Sequence, residues 1–220
     1  MSPEAGRPAW SGAAGAVPGT DLEALTHRPG PGPHWTSVRV DGEHVPTLAD
    51  LPPLRDRLLF VGLSPSDESV AAGHYHQDPA GLRFWAQLLA ARILPEGTQL
   101  ETADDALVAR GHGITDLLKQ PSAASRSDRE LTAGVGPLWQ KVAVWRPAAV
   151  VFVDPRAAAA SAGRPLDARW GRLAGVALAG RPCLLMPAAD GADSETEAAI
   201  AFFRDLAGII EGLLPSEPGG

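Results

Sequence analysis

One cysteine among 220 residues, Cys183, removes whole classes of architecture. Neither an internal disulfide framework nor a cysteine-rich zinc site can be built from it. No stretch reaches the roughly 18 consecutive apolar residues of a bilayer span. The N-terminus also lacks the charged-then-apolar pattern of a secretory leader. A soluble, cytoplasmic, monomeric protein without membrane contact is therefore expected. Positive charge is in short supply too. With 19 Lys and Arg against 26 Asp and Glu, the net charge is −7 and the isoelectric point near 5.3. That balance argues against a broad basic surface for nucleic acid. A local basic patch stays open, because 17 of the 19 basic residues are arginine, the side chain whose fork matches phosphate.

What is present is 45% hydrophobic residues, enough over this length to bury one core. Residues 1–34 hold twelve Gly or Pro, a density that opposes regular structure, so residues 1–44 are expected to be a flexible tail. A single domain then runs over 45–214, and 215–220 frays. Leu58–Leu63 is a continuous apolar run of the length of a buried parallel strand. Phe84–Ile93, Asp104–Arg110 and Asp128–Trp145 have helical character, the last with Leu131, Val135, Leu138, Val142 and Trp145 at helical spacing. Ala148–Asp154 and Pro182–Pro187 are further buried strands, Val176–Ala179 a short one between them, and Thr196–Leu214 an amphipathic closing helix. Strands alternating with helices predict an α/β fold, a three-layer α/β/α sandwich on a short, mainly parallel sheet. Ligands in such folds sit beyond the carboxyl ends of the strands. The turn at Ser64, the loop after Asp154 and the loop after Met186 should converge there.

The turn Gly62-Leu63-Ser64-Pro65-Ser66-Asp67 has a structural reading and a chemical one. Structurally it starts a helix, with Ser64 as the cap, Pro65 first in the helix and Asp67 closing a capping box. An exposed helix start at a strand end is also a place for an anion. A nucleophile elbow of the G-x-S-x-G kind is excluded by order, since that arrangement needs a histidine late in the chain. All six histidines (27, 34, 44, 74, 76 and 112) lie at or before residue 112 of 220.

The longer run GLSPSDESVAAGHYHQDPAGLRFW resembles the signature of the mismatch-specific uracil/thymine DNA glycosylases, in the uracil-DNA glycosylase superfamily. Their pattern is roughly G-I-N-P-G-x-x-S-A-x-x-G-H-H-F-A-x-P-x-N-R-F-W. Gly62, Pro65, Ser69, Gly73, His74, Pro79, Arg83, Phe84 and Trp85 match it, with one extra residue between Pro79 and Arg83. Gly111-His112-Gly113-Ile114-Thr115-Asp116-Leu117 is similar to the family's G-x-G-I-T-D-L segment, and the likeness covers about residues 45–210.

The resemblance implies a DNA glycosylase that flips uracil or another deaminated or damaged base out of DNA and hydrolyses its N-glycosidic bond, with no cofactor and no metal. Both family motifs are altered. Ser64 stands where the family has a water-positioning Asn, and Ala188-Ala189-Asp190-Gly191 where it has N-P-S-G; Asp193, Glu195 and Glu197 follow. Those carboxylates have the wrong sign for phosphates. Asp116 becomes the candidate for aiming or polarising water, with Ser64 assisting and Asp67 and Glu68 in reserve. As an alternative, Asp116 only caps a short helix. The backbone of Gly62, Leu63 and Ser66 is expected to cradle the base. His76, in place of an aromatic, stacks on the base, and His74 either joins the base site or satisfies backbone groups. Two histidines two residues apart suit no metal pair on a helix. Trp85, Trp139 and Trp145 fall at helical core positions, whereas Arg169, Trp170 and Gly191 are the expected DNA contacts. Two other functions fit the same residues: hydrolysis of free nucleosides or nucleotides, which the acidic charge favours, and a catalytically silent relative that binds DNA or a partner.

Overall fold

A computed structural model describes residues 32–121, 126–166, 170–187 and 197–206. The chain enters through an antiparallel hairpin, β1 (Trp35–Val40) and β2 (Glu43–Leu48). Asp41 and Gly42 turn it at φ of 49° and 89°, the pair of positive angles that a two-residue hairpin needs. The tail boundary at residue 44 is thereby corrected. Gly and Pro thin out after Pro33, and Trp-Thr-Ser-Val-Arg-Val followed by Asp-Gly is itself a hairpin signal.

A five-stranded sheet follows, in the order β4-β3-β5-β7-β6. Its strands are β3 (Leu58–Gly62), β4 (Gly113–Asp116), β5 (Ala149–Phe152), β6 (Gly171–Leu178) and β7 (Arg181–Leu185). All neighbours pair in parallel except β6, which is antiparallel to β7. β6 starts five residues before the expected Val176, as an edge strand with alternating exposure. β4 was not legible as a strand, because four residues are too few to show a period. Its presence removes the reading of Asp116 as a helix cap.

The sheet residues sort by parity, as pleating requires. Leu58, Phe60, Ala149, Val151 and Leu184 face one core with Phe84, Trp85 and Leu88 of α2 (Pro79–Ala90), Leu107 of α3 (Ala103–Ala109) and Phe203 and Leu206 of the helix over 197–206. Leu59, Val61, Val150, Phe152, Cys183 and Leu185 face the other, with Leu131, Leu138 and Val142 of α4 (Asp128–Trp145) and Ala157 and Ala158 of α5 (Pro155–Ala162). Helices thus cover both faces of the sheet, as expected from the alternation. Trp85 is fully buried, but Trp139 is half exposed on α4, which corrects its assignment to the core. Among the described residues no helix is long and apolar enough to cross a membrane.

The turn after β3 enters α1 (Asp67–Ala72) two residues later than expected. Ser66, at extended φ and ψ of −79° and 159°, is the cap and accepts from the Ser69 N–H at 3.2 Å. Ser64 and Pro65 are left in the strand-to-helix loop, and Asp67 is the first helical residue. The helix ends at Gly73 with φ of 73°, which only glycine adopts without strain. β3 has β4 on one side and β5 on the other, so the connections diverge from it, and its carboxyl end is where ligands bind in folds of this kind.

Candidate active site

Gly62 closes β3 and Asp116 closes β4, and the two are register partners. A Cβ on Gly62 would overlap the Asp116 carboxylate, so glycine is what lets that side chain lie across the strand end. Beyond them the backbones stay joined, Leu117 N–H to Gly62 O at 3.0 Å and Leu118 N–H to Leu63 O at 2.9 Å. Asp116 is 2% exposed, and its Oδ2 is buried without a hydrogen-bond partner. Burial raises its pKa to about 6; Lys119 and Lys141 oppose the rise and Asp50 adds to it. A carboxyl poised near neutrality at the carboxyl end of a sheet has the properties of a general acid or base.

His76 is the third member of this group. Its Cε1 lies 3.6 Å from the position a Gly62 Cβ would occupy. The residue adopts φ of 55°, uncommon for a non-glycine side chain. The first turn of α2 holds it there, since a Cβ on Gly81 would strike the His76 backbone. Its ring packs edge-on against Phe84 and Trp85, with centroids 4.8 and 5.7 Å away, and Nε2 is buried without a partner. Burial depresses its pKa to about 4, against a small upward pull from Asp78, so the ring is neutral at pH 7. The neighbouring backbone is tied down by Trp85 Nε1–H to Tyr75 O at 3.0 Å and Gln77 N–H to Ser69 Oγ at 3.0 Å.

Behind Asp116 stands a charged cluster that sequence reasoning missed. The chain has only two lysines, Lys119 and Lys141, and both reach Asp50, at 2.9 and 2.8 Å. Thr115 donates its hydroxyl to Asp50 Oδ1 at 2.5 Å and accepts from Lys141 Nζ at 3.2 Å. Lys119 Nζ also donates to the Tyr75 hydroxyl at 2.9 Å, which donates to Ala49 O at 2.8 Å. Burial pushes the Asp50 carboxyl up, but the two ammonium groups reverse this and hold it ionised. Burial likewise pushes Lys119 down, and Asp50, Tyr75 and Asp116 together hold it protonated. Lys141 is lowered by burial, with Asp50 opposing and Lys119 adding. Because Thr115 and Asp116 are consecutive on a strand, their side chains leave it on opposite sides. β4 thus carries one residue of the cluster and one of the group around Gly62.

A model of the uracil DNA glycosylase superfamily matches residues 49–194. The chain belongs to that superfamily. No curated protein sequence matches it. The superfamily match spans every strand of the sheet together with Asp50, Asp116 and Lys141, whereas β1 and β2 precede it.

The expected site residues of this glycosylase-superfamily chain divide into three groups. Gly62, Asp116 and His76 come together, and half-buried Leu63 and Ser64 follow directly from the end of β3. Ser66 serves the cap of α1. His74 points its Nδ1 at Asp104, 2.8 Å away, and not at this group. Trp170 is 37% exposed at the start of β6, where it borders a groove with Arg172, Phe202 and Asp205. β6 is four strands from β4, about 20 Å at ordinary strand spacing. Arg169 and Gly191 lie outside the described residues.

Proposed function

We propose that this protein is a monofunctional DNA glycosylase, similar to the mismatch-specific uracil/thymine enzymes but with exchanged catalytic residues. The observation that carries the proposal is the buried Asp116 carboxylate with its unpartnered Oδ2, set against Gly62 at the carboxyl end of the sheet. In this reading a flipped uracil, or another deaminated or damaged base, enters the crevice beyond Gly62–Ser66. Water adds to the anomeric carbon while the C1′–N bond breaks, and the electron pair of that bond leaves with the base. Ionised Asp116 orients the water, takes its proton and faces the positive charge developing on the sugar. Ser64 holds the same water, and backbone N–H groups at the turn stabilise the departing anionic base. His76, neutral at pH 7 with a free Nε2, offers one hydrogen bond to a base edge, which favours bases that complete it.

The test is incubation of the full chain with single- and double-stranded oligonucleotides, each carrying uracil, thymine opposite guanine, hypoxanthine, xanthine or ethenocytosine. Alkali then reveals abasic sites. Excision of at least one base that is lost in Asp116→Asn supports the reading. No excision by the wild type from any DNA substrate overturns it. The charge of −7 favours a second reading, hydrolysis of free nucleosides or nucleotides; release of base from mononucleotides without excision from DNA would select it.

A further inference from the structure

We propose that His34, His74, Asp104 and Asp105 form a site for one divalent transition-metal ion, zinc(II) being the ion whose coordination they suit best. The site is separate from the Asp116 group and does not rest on the glycosylase reading. Its donors come from three separated stretches of chain: the entry to β1, the loop after α1 and the first turn of α3. One ligand atom from each of the four lies within 4.8 Å of the others. His34 Nε2 is 2.8 Å from Asp105 Oδ1 and 3.8 Å from Asp104 Oδ2, and His74 Nδ1 is 2.8 Å from Asp104 Oδ1. The two imidazoles meet edge to face at 5.5 Å.

Two glycines bring the histidines together. Gly32 and Gly73 are packed so closely that a Cβ on either would strike the backbone of the other. His34 N–H donates to Gly73 O at 3.1 Å, locking the entry strand against the end of α1. Asp104 is held in place by Tyr75 N–H at 2.8 Å and by Asp105 N–H at 3.1 Å. The donors are thus preorganised by backbone contacts that do not depend on a metal.

Charge supplies the independent reason for a cation. Asp104 is completely buried beside a second carboxylate, and among the described residues neither is paired with lysine or arginine. Among the described residues their ion-pair partners are the two imidazoles alone. With neutral rings the cluster carries −2, which a dication cancels. Two imidazole nitrogens and two carboxylate oxygens match zinc, which takes nitrogen ligands at about 2.0–2.1 Å and oxygen at about 2.0–2.2 Å in a tetrahedron. Each neutral imidazole would ligate through the nitrogen that now faces a carboxylate and carry its one N–H on the other ring nitrogen, so the ion takes the proton's place between ring and carboxylate and the charges still cancel. Bound there, it staples the residues before β1 to the loop that leads through Tyr75 into His76.

The test strips the full-length protein with a chelator and titrates zinc(II) in competition with a chromophoric zinc indicator. One equivalent per chain, at micromolar affinity or tighter, is expected. His34→Ala and Asp105→Asn should each weaken it by about tenfold or more. Asp105 is half exposed, so its isosteric amide keeps the fold intact. His44→Ala, at an exposed histidine that bonds Ser37 in the hairpin, should leave affinity unchanged. Zinc should also raise the melting temperature of the wild type and not that of Asp105→Asn. Absence of one-equivalent binding, binding that survives both ligand variants, or loss of binding in His44→Ala would overturn the site.

Discussion

The Asp116 carboxylate occupies the space that a side chain at Gly62 would fill. The pair therefore works as a unit: glycine at the end of β3 is the condition for an acid at the end of β4 to reach across the strand. Gly62→Ala should displace the carboxylate and lower excision activity by at least about tenfold. Overpacking at such a site costs about 1–3 kcal/mol. Denaturant melts and single-turnover rates measure the two effects together; unchanged excision would show that Asp116 need not lie where it does.

Asp116→Asn separates activity from stability in opposite directions. Excision should fall by about 10²–10⁴-fold, the usual loss for a general base. Stability at pH 7–8 should rise. Burial holds the Asp116 carboxyl at about 6 in the fold, above the ordinary aspartate value of about 3.9, so the native state binds more protons between those values. Stability is then lost as pH rises through that window, and a neutral amide recovers about 1–3 kcal/mol of it. Urea midpoints at pH 4 and pH 8 check the sign: the variant's advantage must appear at pH 8 and shrink at pH 4.

Activity that depends on ionised Asp116 rises as pH increases through about 6 and levels off above it. The cluster behind it tunes that limb. Asp50 raises the Asp116 pKa and Lys119 lowers it. Asp50→Asn should move the acid limb to lower pH, and Lys119→Met should move it to higher pH. A merely structural role for the cluster would reduce activity at every pH without moving the limb. Asp50→Asn also leaves two partly buried ammonium groups without their carboxylate, a loss of about 3–5 kcal/mol for a buried pair, less here because the groups keep some solvent.

His76 runs the other way. Its pKa near 4 lies below the ordinary 6.5, so the unfolded chain binds the extra proton first. The stability it contributes is present above about 6.5 and is lost as pH falls toward 4. His76→Asn, which tolerates the positive φ, should flatten that part of the pH–stability curve and change the ranking of excised bases more than the overall rate. Competition between uracil and hypoxanthine substrates reads this out; an unchanged ranking would remove His76 from the base site.

The entry hairpin belongs to the folded domain. A chain starting at Val45 loses β1 and exposes Leu48, which is fully buried. It should melt several degrees below one starting at Gly32, as differential scanning calorimetry would show. Equal melting temperatures would restore the boundary at residue 44.

Amino-acid order alone determined the alternation of buried strands and amphipathic helices, and with it the layered fold. Leu58–Gly62, Ala149–Phe152 and Asp128–Trp145 are legible because burial on a sheet or helix face imposes a period that a window of residues displays. Gly62 and Asp116 were joined in one candidate site by the likeness of their segments to the glycosylase motifs, since four residues of β4 are too few to be read as a strand. Position in space was a different matter. Thr115 and Asp116 are neighbours in sequence but serve different clusters, since adjacent strand residues diverge. His74 and His76 are two apart, yet one meets Asp104 and the other Phe84 and Trp85. Asp50, Lys119 and Lys141 are separated by 69 and 22 residues and converge on one point. That the chain's only two lysines share one carboxylate was a signal in the composition, but its meaning needed the fold. Hydrophobic periodicity is a local property that survives in one dimension, whereas charge pairing and pKa depend on through-space distance and burial, which exist only once the chain has packed.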